Sequence, residues 1–188
     1  SSRGISAAIL TIAIISTFGF PVVQQIIVFS EEVFEVSPFL FGLLGSAQGI
    51  GAVLAVPLVT GYVSFMKPSV QQLIATVGYG FAVIIFAVAP SYSVAFCSLG
   101  ILGIMHLTSA SNLNSVVQLQ VDEEMRGRVM AIYLVGVLGP APFAGLAMGW
   151  LVSSFGPRLV VALSGSILAL SAVVLWLRGK FSDLNATN

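Results

Sequence analysis

The sequence predicts an all-α membrane protein of six transmembrane helices. Three features predict it: the scarcity of charge, the length of the apolar runs, and the brevity of the polar breaks between them. Of the 188 residues, 57% are hydrophobic and 7% charged, with a mean hydropathy of +1.06. A soluble domain carries roughly 25% charged residues because its surface must face water. This chain has too few to coat a body of its mass, so most of it is solvated by lipid.

A helix needs roughly 20 apolar residues to cross the hydrocarbon. Six runs reach that length. The first, residues 5–29, stops at Ser30 before the acidic Glu31, Glu32 and Glu35. The second, 39–63, follows Pro38, and the third, 70–89, lies between Lys67-Pro68-Ser69 and Pro90. The fourth, 93–118, runs toward Asp122, Glu123 and Glu124, while the fifth, 129–153, starts directly behind Arg126-Gly127-Arg128. The sixth, 159–177, sits between Arg158 and Arg178. None alternates with period two, which argues against a membrane barrel. The breaks at 30–38, 64–69, 90–92, 119–128 and 154–158 are short, so neighbouring helices run antiparallel. Residues 1–188 therefore read as one six-helix unit. Ser1 in place of a methionine reads as the cut end of a longer protein.

Basic residues set the expected orientation. Numbering the breaks alternately puts Arg3, Lys67, Arg126, Arg128, Arg178 and Lys180 on one side and only Arg158 on the other. The positive-inside rule makes the first side cytoplasmic, with both termini there. Tyr62, Trp150 and Trp176 fall near helix ends, where amphipathic rings favour the interface, although bulk facing lipid explains them equally well. The sequon Asn185-Ala186-Thr187 would lie on the cytoplasmic side and is discounted as a glycan site.

Two inverted three-helix repeats are expected. Gly51, Pro57 and Gly61-Tyr62 in the second span are matched by Gly139, Gly145 and Gly149-Trp150 in the fifth. Both spans are the middle helix of a triplet, and they cross in opposite directions. Inverted repeats of this kind mark transporters.

Catalytic chemistry has little to work with. There is one histidine, no Cys-x-x-Cys, no phosphate loop, and no carboxylate inside any expected span. Gly49-Ile50-Gly51 lacks the strand and βαβ context of a dinucleotide site. No enzyme, cofactor or metal site is expected. A net charge of zero gives no surface for nucleic acid. Cys97 reads as a small core residue or, alternatively, a reactive thiol.

Neutral polar residues remain inside the spans: Gln24, Gln25, Gln48, His106, Ser111, Asn112, Asn114 and Gln118. Amides cost energy in lipid unless paired or wet, so they should face the bundle interior or a cavity. They read either as the lining of a path or as hydrogen bonds that fix packing. His106 is either a proton-coupling residue or a structural donor. Gly42, Gly45, Gly49 and Gly51 are expected near one face of the second span, and Gly136, Gly139, Gly145 and Gly149 mark the fifth. Small residues let helices approach closely or rock against each other. Pro140 and Pro142 behind Gly139 weaken the backbone ladder and permit a bend. Arg126-Gly127-Arg128 reads as a cytoplasmic latch onto neighbouring carboxylates, or as a plain positive-inside anchor.

On these residues the chain resembles the C-terminal half of a major facilitator superfamily transporter, and within it the drug and siderophore exporter branch that includes enterobactin and macrolide exporters. Three stretches carry the resemblance. Asn114 through Gln118 to Arg126-Gly127-Arg128-Val129-Met130 is similar to that branch's junction between helices ten and eleven. Pro38 through Phe41-Gly42-Leu43-Leu44 to Gly49-Ile50-Gly51-Ala52 resembles its helix eight, and Gly149-Trp150 through Phe155-Gly156-Pro157-Arg158 its last turn. The chain departs from the branch at Asp122, where a proline is usual, and in 61–68, which keeps only Gly61 and Lys67 of a charged loop motif. Gly136, Gly139-Pro140 and Gly145 echo a glycine–proline motif found in the exporters' fifth helix.

The resemblance implies a twelve-helix fold in which these spans are helices seven to twelve. Substrate would sit near the midplane between the halves, with Gln24, Gln25, His106, Asn112 and Asn114 on the cavity-lining helices. The implied partners are a small-molecule substrate, the lipid bilayer, and a missing N-terminal six-helix half or a second copy of this one. A coupling carboxylate would belong to that other half. The implied activity is export of small amphipathic molecules driven by a proton gradient across the cell membrane. A membrane-embedded assembly subunit with no path of its own is the alternative, and an intramembrane enzyme using His106 a third.

Overall fold

The computed structural model describes residues 2–61 and 65–185. Tyr62 and residues 186–188 lie outside these, and with them part of the Gly61-Tyr62 pair and of the sequon. Every regular element among the described residues is helical. The helices are α1 (Ser2–Phe18), α2 (Phe20–Gln24), α3 (Ile26–Val28), α4 (Pro38–Thr60), α5 (Pro68–Val88), α6 (Tyr92–Gln120), α7 (Arg126–Leu138), α8 (Pro140–Phe155) and α9 (Pro157–Leu177). They make six spans long and apolar enough to cross a membrane: α1–α3, α4, α5, α6, α7–α8 and α9.

Local chemistry explains the ends. Proline opens α4, α5, α8 and α9, where its missing N–H would have been unpaired anyway and its fixed φ suits the first turn. Ser37 and Ser91 cap α4 and α6 by accepting from the N–H of Leu40 and Val94, each at 3.5 Å. Between α8 and α9 the chain reverses on Gly156 at φ 83°, a conformation costly for any residue with a Cβ.

Two boundaries differ from the sequence reading. The first span runs on through a π-helical turn, Phe29–Val33, so Glu31 and Glu32 belong to its last turn rather than to a loop. The expected loop 119–128 shrinks because α6 continues to Gln120 and a 3-10 turn, Glu123–Met125, leads straight into α7. Arg126, Gly127 and Arg128 are therefore the first turn of a helix. Good helix formers around the polar residues extend the backbone ladder past the hydrocarbon edge, where water satisfies it.

The third span, α5, is the most enclosed of the six, and the second and fifth are the most open. Tyr79, Val83, Phe86 and Ala87 of α5 are fully buried, with the Phe29 ring 4.5 Å from that of Phe86 and tilted 36° to it. α5 lies between α6 and α9, α4 crosses α6, and the α7–α8 span leans on α1. Each triplet's middle helix thus packs on the other triplet's first helix, the exchange expected of two inverted three-helix repeats. Glycine sets the closest crossings. A Cβ on Gly51 would strike the Gly100 carbonyl, and one on Gly103 the Gln48 carbonyl. Lipid supplies no hydrophobic drive between helices, so such close backbone contact is what holds them.

The shared face expected for the glycines of α4 is not what forms. Gly51 is buried against α6, while Gly42, Gly45 and Gly49 are exposed with open space beside them. At 100° per residue, nine residues separate Gly42 from Gly51 by half a turn. Cys97, read as a small core residue or a reactive thiol, is exposed on α6.

One end of the bundle is pinned by the chain's last described residues. Phe181 and Leu184 are buried, and Gln120 Nε2 donates to the Leu184 carbonyl at 3.2 Å. The Asn185 side chain accepts from Ser69 N–H at 3.0 Å and donates to Ser69 Oγ at 2.9 Å. Arg3, Lys67, Arg126, Arg128, Arg178 and Lys180 gather at this same end.

Candidate transport site

The first span is interrupted near its middle. α1 ends at Phe18, and Gly19 and Gln25 flank the short α2. Pro21 cannot donate to the carbonyl one turn back, and Val22 and Gln25 reach only three residues back, to Gly19 and Val22. Gly19 fits because a Cβ there would lie 2.7 Å from Tyr79 Cε1 and 2.8 Å from its hydroxyl.

Opposite this break stand the midpoints of two other spans, Tyr79 of α5 and His106 of α6. The His106 ring is held edge-on by Phe20 and by Tyr79, each with centroids 5.5 Å away. The Tyr79 hydroxyl and His106 Nδ1 are both buried with no hydrogen-bond partner among the described residues. Two unsatisfied polar atoms thus lie beside a broken helix in the bundle core. Sequence reading named His106 and missed Tyr79, whose only signal is a phenol at the centre of an apolar run, between Gly78 and Gly80.

Toward the pinned end lies a closed polar network. Asn112 Nδ2 donates to Gln72 Oε1 at 2.9 Å and to the Pro68 carbonyl at 3.0 Å. Gln72 Nε2 donates to Thr76 Oγ1 at 2.9 Å and Ser109 Oγ at 2.6 Å. All four side chains are buried and every amide hydrogen is used. Asn112 thus faces α5 and ties two helices together.

The other expected residues are spread out. Gln24 is exposed, and its Oε1 is the atom nearest a Cβ built on Gly145, at 2.8 Å, so α2 and α8 meet there. Gln25 is buried. Gln48 is half-buried at the α4–α6 crossing, and Asn114 is half-buried, accepting from Gln118 Nε2 at 2.9 Å. Gly139 separates α7 from α8, which Pro140 opens. Arg126, Gly127 and Arg128 are exposed, and among the described residues neither arginine meets a carboxylate.

A family model described as Major Facilitator Superfamily matches residues 2–185. The chain belongs to the Major Facilitator Superfamily. Solved structures agree on the fold of this superfamily member. The peptide transporter POT in complex with sulfate superposes with a TM-score of 0.82 at 13% identity, covering 98% of this chain and 39% of that one. A mutant of POT in complex with alafosfalin gives 0.82 at 15% identity, covering 99% and 40%. The chain thus spans about two fifths of the length of the transporters it matches. No curated protein matches it in sequence. Family and fold are those of multi-pass membrane transporters rather than enzymes.

Proposed function

We propose that this chain is one six-helix half of a secondary transporter that exports small amphipathic molecules, of drug or siderophore type, by alternating access coupled to a proton gradient. The break at Gly19 beside Tyr79 and His106 carries the reading. A buried polar atom without a partner costs free energy, and it persists where another state of the protein, or a ligand, satisfies it. Discontinuous helices near the midplane are where transporters place their substrate. Gln24, Gln25, Gln48, His106 and Asn114 then supply scattered hydrogen bonders among apolar walls, as a site for amphipathic molecules requires. Asn112 supports that surface from behind.

The spans carry carboxylates only in their end turns, so the coupling carboxylate belongs to a second six-helix body. The open faces of α4 and of α7–α8 suit that partner, whether an N-terminal half or a second copy. Arg126 and Arg128 meet no carboxylate among the described residues and would latch onto that partner, with Gly49, Gly51, Gly139, Pro140 and Gly145 shaping surfaces that slide or bend. The arginine-rich end then faces the cytosol of a cell membrane, and both termini with it.

The test is transport by the intact protein in proteoliposomes under an imposed pH gradient, read with a fluorescent amphipathic dye. Gradient-dependent dye movement that falls with His106→Ala is the expected result. Dye movement indifferent to the gradient overturns the coupling, and its absence alongside normal assembly favours a subunit without a path.

A further inference from the structure

We propose that the cleft between α8 and α9 binds one phospholipid, with an acyl chain in the cleft and the headgroup at its mouth on Arg158 and Glu32. The cleft encloses about 440 Å³ against α1, within the roughly 300–1,000 Å³ of ligand pockets. Met148 and Leu151 of α8 and Leu163 and Ile167 of α9 form its walls, and Phe18 of α1 its floor. Its only hydroxyl donors are already engaged. Thr17 Oγ1 donates to the Ala13 carbonyl at 2.8 Å, and Ser164 Oγ donates to the Phe18 carbonyl. A filling that needs no donor is hydrocarbon.

Phe155 and Leu159 border this cleft and also a second hollow, of about 390 Å³, lined by Glu32, Gly156 and Arg158. An apolar slot thus opens into a charged mouth at the α8–α9 turn, the level at which a bilayer passes from acyl chain to headgroup. Among the seven Lys and Arg residues Arg158 is the only one at this end of the bundle, where the positive-inside bias calls for none. Its Nη1 donates to the Ala87 carbonyl at 3.3 Å, which steadies the guanidinium and leaves its other donors facing out. That planar fork matches two phosphate oxygens. Glu32 lines the same mouth without pairing to Arg158, so a headgroup carrying both phosphate and ammonium meets an opposite charge at each end. The chemistry selects a zwitterionic phospholipid with a primary ammonium.

The experiment is native mass spectrometry of the intact, delipidated transporter titrated with phosphatidylethanolamine or phosphatidylglycerol. Wild type is expected to retain phosphatidylethanolamine in preference. Arg158→Gln lowers retention of both lipids about tenfold, the worth of one charged hydrogen-bonded pair. Glu32→Gln abolishes the preference, and Ala147→Trp, which fills the cleft, weakens both. Arg158 and Glu32 are exposed, so these two substitutions leave the fold intact. Retention unchanged by Arg158→Gln and Ala147→Trp overturns the site, as does displacement of the lipid by a transported dye that competes for the cleft.

Discussion

Gly80 of the third span and Gly165 of the sixth face each other reciprocally. A Cβ on Gly80 would come within 2.6 Å of the Gly165 carbonyl oxygen, and one on Gly165 within 2.7 Å of the Gly80 carbonyl oxygen. The two helices hold equivalent places in the two triplets, so the repeats touch through a self-complementary contact of bare backbone.

Leucine at either position wedges α5 from α9. Each of Gly80→Leu and Gly165→Leu is expected to destabilise the protein by ~1–3 kcal/mol, the usual cost of overpacking. Gly45→Leu, with open space around it, should be close to neutral. Thermal unfolding in detergent compares the three, and equal losses would show that the crossing is not tight.

The Gln72–Asn112 pair gives a test of coupling. Asn112→Ala strands the Gln72 carbonyl oxygen in a dry site, at a cost of about 1–3 kcal/mol. The double variant Gln72→Leu with Asn112→Leu should lose less than the sum of its two leucine singles, because neither amide is then left facing a missing partner amide. Additive losses in a double-mutant cycle count against the network.

Tyr79→Phe removes a hydroxyl that has no hydrogen-bond partner among the described residues. Stability should hold or rise by about 1 kcal/mol, since a buried polar group is deleted, while transport of dye should fall. A variant that transports normally would leave the hydroxyl without a role.

Asn185→Ala releases both bonds to Ser69. Losing about 1 kcal/mol from local docking raises the open population roughly fivefold. Tryptic cleavage after Lys180 should quicken by a similar factor, with the spans themselves remaining protected.

Much of the fold was legible in the sequence, because crossing lipid demands long apolar helices and their spacing leaves little freedom of topology. Which way each helix faces was not. A soluble helix declares its buried stripe by polarity, but here lipid-facing Val53 and core-facing Ala55 are equally apolar. The expectation that Gly42 and Gly51 share a face fails on spacing alone, since nine residues carry them half a turn apart. Proline and glycine mark the interruption between α7 and α8 at Gly139, yet the break at Gly19 needed Tyr79 in place to be recognised. Of the polar residues, composition could say that each needs company and could not say which. Asn112 found Gln72, while His106 found two aromatic edges and no hydrogen bond for its Nδ1.

The docking of the final 3-10 turn has a bearing on biogenesis. Gly4 lies against Gln120 and the Asp183 carbonyl, and Gln120 waits for Leu184. The contacts with Asp183 and Leu184 form only once the sixth helix has entered the bilayer. The start of α1 is therefore held by residues that lie beyond the sixth span, and a chain interrupted before Phe181 would leave that end of α1 less firmly tied.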